Sequence, residues 1–455
     1  MSRVRYIVIL TILFAAPASA QNLDSLLARM TLEEKLGQLN LLSANGRASP
    51  EQMQLVRSGK LGGLFNVIGA ENTTPVQRIA VTESRLKIPL LFGLDVIHGY
   101  RAIFPIPLGE ASSFDPDAAE ATARAAGQEA ASFGINWTYA PMVDIARDPR
   151  WGRIAEGSGE DPYLGSLMAA ARVRGFQQNI FATVKHFAGY GAAEAGREYN
   201  ETEISERTMR EVYLPPFKAA VDAGVASLMS AFNDLSGVPA SGNAWLTDTV
   251  LRREWRFPGF VVSDWTSVAE LINHGIAGSP AEAGQRALMA GVDMDMQSSI
   301  YVDALAPLVQ SNRIPLAVVD SAVMRILRAK QRLGLFRDPY RARTAPPAAE
   351  LRALARRVAG ESIVLLKNER SLLPLAKSGP IAVIGPLADN KEEPLGPWHT
   401  QGRAEDVVTV LQGIRSRAPG VQAVYAQGAG IEDTSTAGFA AAVAAARQAD
   451  RKSVV

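Results

Sequence analysis

The chain contains no cysteine, so no disulfide can brace it and its stability has to come from core burial. Histidine is nearly as scarce. The four copies, His98, His186, His274 and His399, form neither an H-x-H nor an H-E-x-x-H spacing, and with no cysteine to add, a catalytic metal is not expected. No cofactor is expected either. There is no excess of charge of one sign: 47 Lys+Arg face 46 Asp+Glu, which excludes a broad electrostatic footprint for nucleic acid or anionic lipid. The expected partner is a small, largely uncharged molecule. Missing too are a G-x-x-x-x-G-K-[ST] loop and a G-x-S-x-G elbow, so neither nucleotide hydrolysis nor serine esterase chemistry has support.

What is present is a chain of 455 residues that is 47% hydrophobic, long enough for two or three cores. Its first 20 residues, with Arg3 and Arg5, an apolar run and then Ala18-Ser19-Ala20, read as a secretory signal; an uncleaved N-terminal anchor is the alternative. After it no stretch supplies 18 uninterrupted apolar residues. Export without disulfides fits a bacterial periplasm. Residues 21–336 read as one domain, the Pro/Arg/Ala stretch 337–350 as a linker, and 351–455 as the start of a second α/β domain, with no known-length repeat inside either.

Between residues 61 and 296, seven apolar strand-like runs alternate with helical patterns. That alternation predicts a parallel sheet with helices outside it. Each run begins apolar and ends polar, at Asn66, Asp95, Asp144, Lys185 with His186, Asn233, Asp264, and Asp293 with Asp295. An open doubly wound sheet is conceivable, but a closed (β/α)₈ TIM-like barrel brings all such ends to one face. The polar ends are then expected to share one pocket.

Asp264 ends the run "FVVSDW". A carboxylate there is either a nucleophile or base, kept ionised by a cation such as Lys185, or the N-cap of the next helix. In "KHFAGYG" the neighbours Lys185 and His186 cannot both face inward unless the strand bends. "ARDPRWGR" gathers three arginines and Trp151 into one loop, suited to binding hydroxyls or a carboxylate, or to an internal salt-bridged loop. Carboxylates, cations and indole faces (Trp265 or Trp151) at a barrel mouth suit a polyhydroxylated ligand, a carbohydrate.

Taken in order, the segments "RLKIPLLFGLDVIHG", "FPIPLGEASSFD", "APMVDIARDPRWGRIAEGSGEDPYL", "VKHFAGYGAAEAGREYN", "LPPFKAAVDAG", "GFVVSDW" and "ESIVLLKNERSLLPL" resemble glycoside hydrolase family 3 in its periplasmic β-glucosidase branch. The resemblance implies a retaining, exo-acting β-glycosidase built from a barrel followed by an α/β sandwich. It implies that Asp264 is the nucleophile, that Asp95, Arg153, Lys185, His186 and Arg197 bind the terminal sugar, and that Trp265 borders it. It also implies an acid/base glutamate beyond a strand following "AAVAAARQAD", which these residues do not include; Glu198 and Glu160 do not match that motif. A second branch instead uses a histidine in K-H-F-P-G-H-G, where this chain has Ala188 and Tyr190. "DRKSVV" matches the translation of a common sequencing adapter, so the expectation is that the natural frame continues past Asp450. The alternative to an enzyme is a non-catalytic sugar-binding protein.

Overall fold

The computed structural model describes residues 21–341, 343–449 and 451–454. The expected signal segment 1–20 lies outside the described residues.

Eight parallel strands form the first sheet: β1 (Asn40–Gly46), β2 (Gly63–Val67), β3 (Leu91–Leu94), β4 (Trp137–Thr138), β5 (Phe181–Phe187), β6 (Ser227–Ser230), β7 (Phe260–Val262) and β8 (Asp295–Met296). From β1 to β7 each strand pairs with the next in chain order, and β8 pairs with β1 through Asn40 and Asp295. A parallel bridge between Val262 and Met294, with Ser263 N–H donating to the Met294 carbonyl at 2.8 Å, closes the circle. The sheet is therefore a (β/α)₈ barrel. β1 is the strand missing from the seven expected runs. Asn40, Ser43 and Asn45 interrupt its apolar pattern, yet Leu41 and Ala44 are buried.

The helices between the strands start where their sequences provide caps. Thr31 accepts from Glu34 N–H while Glu34 reaches back to Thr31 N–H, a capping box for Leu32–Gln38. Asp115 accepts from the N–H groups of Asp117 and Ala118 ahead of Pro116–Ser132, and Gly134 follows at φ +87°. Inside the barrel, Trp137 Nε1–H donates to Thr183 Oγ1 at 2.6 Å and its ring meets Phe260 edge-on at 5.3 Å.

Beyond the barrel, a helix spans Ala348–Glu361, starting inside the stretch that reads as a linker because Pro346-Pro347 holds only the preceding backbone extended. Leu351 and Val358 are buried, Leu351 within the barrel's own core. A second sheet follows: β9 (Ser378–Ile384), β10 (Gly420–Ala426) and β11 (Arg451–Val454), all parallel, with β9 in the middle. The apolar run Ile363–Leu366 is exposed, with Leu366 91% accessible.

Candidate active site

Ser263 fixes the end of β7. Its Oγ donates to the Asp264 carbonyl at 2.9 Å and accepts from Met296 N–H at 2.8 Å, clamping β7 to β8 one residue before the carboxylate. Asp264 then leaves the barrel rim with its side chain fixed by one bond, accepted from Trp265 N–H by Oδ1 at 2.7 Å. It is not the cap of the helix after it; Thr266 takes that position. The other oxygen, Oδ2, is buried and has no hydrogen-bond partner among the described residues. Burial pushes the carboxyl up to about 6, against the opposing pull of Arg153 and Lys185.

β5 supplies the cation. Its pairing with β6 shifts register between Val184 and Phe187, a bulge that lets Lys185 and His186 border the same cavity despite being neighbours. Lys185 Nζ donates to Asp95 Oδ1 at 2.7 Å and stands 5.3 Å from the Trp398 ring centre.

His186 is held on both sides. Its Nδ1 and its backbone N–H both meet Asp144 Oδ2, at 2.8 and 2.9 Å, while Nε2 lies 2.9 Å from the Arg153 guanidinium. Arginine only donates, so Nε2 accepts and the proton sits on Nδ1. Burial and the two cations keep the ring well below its usual pKa, hence neutral. Nε2 also lies 3.5 Å from Asp264 Oδ2 but has no proton to give it. Burial raises the Asp144 carboxyl to about 8.

Arg153 comes from the short 3₁₀ turn Gly152–Glu156 and is locked by Glu156 at 2.7 and 3.1 Å. Of the loop's other arginines, Arg150 pairs with Asp148 in solvent and Arg147 bonds Tyr213. Trp151 is buried, donating through Nε1 to Glu198, so of the two tryptophans only Trp265 lines the cavity. Tyr190 O–H donates to the other Glu198 oxygen.

Asp95, Arg153, Lys185, His186, Asp264 and Trp265 all line one cavity of about 550 Å³. Arg197 does not. Its loop leaves it exposed, and the next residues, Glu198 and Tyr199, line the cavity in its place. Nor do all the polar strand ends meet there. Asp293 pairs with Arg252 and Arg325, Asp295 accepts from Ser298 and Tyr301, and Asn233 donates to Thr202. His98 lies between two carbonyls, with Nδ1 2.8 Å from that of Phe104 and Nε2 2.6 Å from that of Pro397. Residues missed in the sequence include Glu156, legible as an acid three residues after Arg153, and Pro397-Trp398, which reach the cavity from beyond the helix Ala348–Glu361. Among the described residues no group of His, Asp and Glu is arranged to hold a metal ion.

The fold and cavity together define a (β/α)₈ barrel protein organised around a buried carboxylate at the C-terminal ends of its strands. The chain belongs to glycosyl hydrolase family 3: the family's N-terminal domain model matches residues 31–329 and its C-terminal domain model residues 363–455. It is similar to a periplasmic beta-glucosidase of Salmonella typhimurium, 44% identical over 89% of this chain and 55% of the relative. It resembles a beta-xylosidase of Formosa agariphila at 35% identity, over 84% of this chain and 58% of that one. Among solved structures, a beta-glucosidase from Listeria innocua in complex with isofagomine superposes with a TM-score of 0.88 at 40% identity, covering 94% of this chain and 62% of that one. The chain thus spans a little over half the length of these relatives.

Proposed function

We propose that this chain carries the sugar site of a retaining, exo-acting β-glycosidase that removes terminal β-D-glucosyl units, with residues 21–336 as the catalytic unit, 337–350 as the link and 351–455 as part of a second domain. The observation that carries this reading is Asp264 Oδ2, a buried carboxylate oxygen with no donor, bordering a cavity with two cations. Its attack on the anomeric carbon forms a glycosyl ester as the bond to the leaving oxygen breaks; water then cleaves the ester and restores the carboxylate. A carboxyl with its pKa near 6 is largely ionised at neutral pH and little stabilised by donors, which suits a nucleophile. Asp95, Arg153 and Lys185 bind the sugar hydroxyls with His186 as a neutral acceptor, and Trp265 covers the apolar face. No cofactor enters this chemistry.

Retaining catalysis needs a second carboxyl roughly 5–5.5 Å from the first to protonate the leaving oxygen. Glu198 borders the cavity, but both of its carboxylate oxygens are already engaged, one by Trp151 Nε1–H and the other by Tyr190 O–H. An activated leaving group avoids that requirement. The test is therefore incubation with a 2-deoxy-2-fluoro glucoside carrying a 2,4-dinitrophenyl group, followed by digestion and mass mapping. A sugar label on the peptide containing Asp264 supports the reading; a label elsewhere, or no label alongside measurable glucose binding, favours a different nucleophile or a sugar-binding protein.

The substrate is a small or oligomeric β-glucoside, not nucleic acid. Glucose rather than xylose is inferred from the higher identity to the beta-glucosidase. The periplasmic location of that relative, with the signal-like N-terminus, supports a periplasmic or secreted place, and no helix among the described residues is long and apolar enough to cross a membrane.

A further inference from the structure

A small cavity of about 20 Å³ lies on the face of the barrel opposite Asp264, by the N-terminal ends of β3 and β4. The helix Ala70–Thr82 forms one wall, the chain that leaves the barrel forms another, and Phe92 and Ile135 supply an apolar floor. One water molecule needs roughly 10–15 Å³ measured in this way. There is room for a single guest the size of a water molecule or a halide ion.

The polar groups left free in this lining are donors. Arg341 Nη1 is buried and has no hydrogen-bond partner among the described residues, and Arg343 lines the same space. Thr73, 3% exposed, adds a hydroxyl that bonds no other described residue. Gly134, at φ +87°, leaves that hydroxyl its room, because a side-chain carbon built there would fall 2.1 Å from Thr73 Oγ1. The amides nearby are spent on backbone: Gln77 and Asn136 bond the chain around Leu90 and Phe92.

No carboxylate is among the described residues that line the cavity. A guanidinium does not give up its charge, yet burial, and after it the charge of Arg343, pull Arg341 below its ordinary pKa, with Asp338 the opposing charge. Asp338 Oδ1 is already taken by the Arg341 backbone N–H at 3.0 Å. Nor is the segment free to swing away. Gln77 Nε2 donates to the Pro339 carbonyl at 3.0 Å, and Gln128 Nε2 to the Thr344 carbonyl at 3.2 Å. A water molecule in the cavity would offer Nη1 an acceptor but leave two neighbouring cations unbalanced, whereas an anion of the same size supplies both.

We propose that this cavity binds one small inorganic anion of halide size between Arg341 Nη1 and the Thr73 hydroxyl, fastening the chain that leaves the barrel to the face remote from the sugar site. The anion is a structural ligand. It is independent of the glycosidase reading, and turnover does not pass through it.

Two measurements on the whole protein test this. Crystals soaked in sodium bromide are expected to show an anomalous peak in contact with both Arg341 Nη1 and Thr73 Oγ1; bromide at other arginines only, or none, would overturn the proposal. In a thermal scan, sodium chloride in place of an equal concentration of sodium methanesulfonate, whose anion is too large for the cavity, is expected to raise the midpoint by about 1–2 °C. The rise should vanish in Arg341→Met and shrink in Thr73→Val, which keeps the shape and removes the hydroxyl. Equal midpoints in the two salts, or a rise that persists in both variants, would sink the idea. A bromide peak without a chloride-dependent midpoint means an adventitious ion only and sinks it too. Should a variant fail to fold, the bromide and salt comparisons on the unaltered protein still decide.

Discussion

The two parts of the chain solve burial differently. In the barrel one large core draws on residues from Leu23 to Leu335 and takes in Leu351 from the helix that follows, with two smaller clusters beside it. In the part beyond, two small clusters flank a sheet of three strands, while Ile363, Val364, Leu365 and Leu366 stand in solvent. The same difference marks the cavity. Asp264, Lys185 and His186 are set by strand ends clamped into a closed sheet, whereas Trp398 is set by a loop docked onto that sheet's rim. Position in the barrel gives the charged groups their accuracy; docking gives the cavity its wall.

The largest effect should come from the barrel side. Asp264→Ala is expected to lower turnover of an activated glucoside by roughly 10⁴-fold or more, measured as phenolate release. The same change should not destabilise the protein. Because the folded pKa is raised from 3.8 to about 6, the native state holds more protons than the unfolded one between those values, so stability attributable to this group is present at low pH and lost as pH rises through that window. Above pH 6 the variant should therefore unfold at the same or higher denaturant concentration, by up to about 3 kcal/mol. A clear loss of stability at pH 7 would show that Asp264 is a structural ion after all.

Lys185→Ala comes next. It strips Asp95 of its buried partner and Asp264 of a nearby cation. The expected drop in kcat/KM is roughly 10²–10³-fold, in both kcat and KM, because binding and the charge of the nucleophile change together. An effect on KM alone would confine Lys185 to binding.

Trp398→Ala tests the docked wall. KM is expected to rise about tenfold with kcat little altered and the thermal midpoint of the barrel unchanged. A fall in kcat of the size seen for Lys185 would mean that the wall takes part in positioning the reacting bond, erasing the contrast between the two parts. Arg197→Ala should have the smallest effect, within about twofold in kcat and KM, because the side chain is exposed and outside the cavity. Loss of binding there would show that the loop carrying it closes over the sugar.

Much of the barrel was legible because its strands are short apolar runs with polar ends, the period that a buried parallel sheet demands. β1 was not, since Asn40, Ser43 and Asn45 break that run and its place follows only from pairing with β2 and β8. Asp264 and Arg153 were legible from their own segments. Which of the other polar strand ends would face the cavity was not: Asp293 is claimed by arginines from two helices, a matter of packing between distant elements. The joint arrival of Lys185 and His186 depends on a bulge no local pattern announces, and Trp398 on bonds spanning about three hundred residues of chain.

Those bonds are few. Pro397 is held through its carbonyl to His98, Thr400 Oγ1 donates to the Gly99 carbonyl at 3.0 Å, and Gln401 N–H reaches Tyr100. A segment latched by so little can detach while the barrel stays folded. On warming, ligand affinity should therefore fade at a temperature where circular dichroism still reports a native scaffold, leaving a protein that looks intact and has lost one side of its grip.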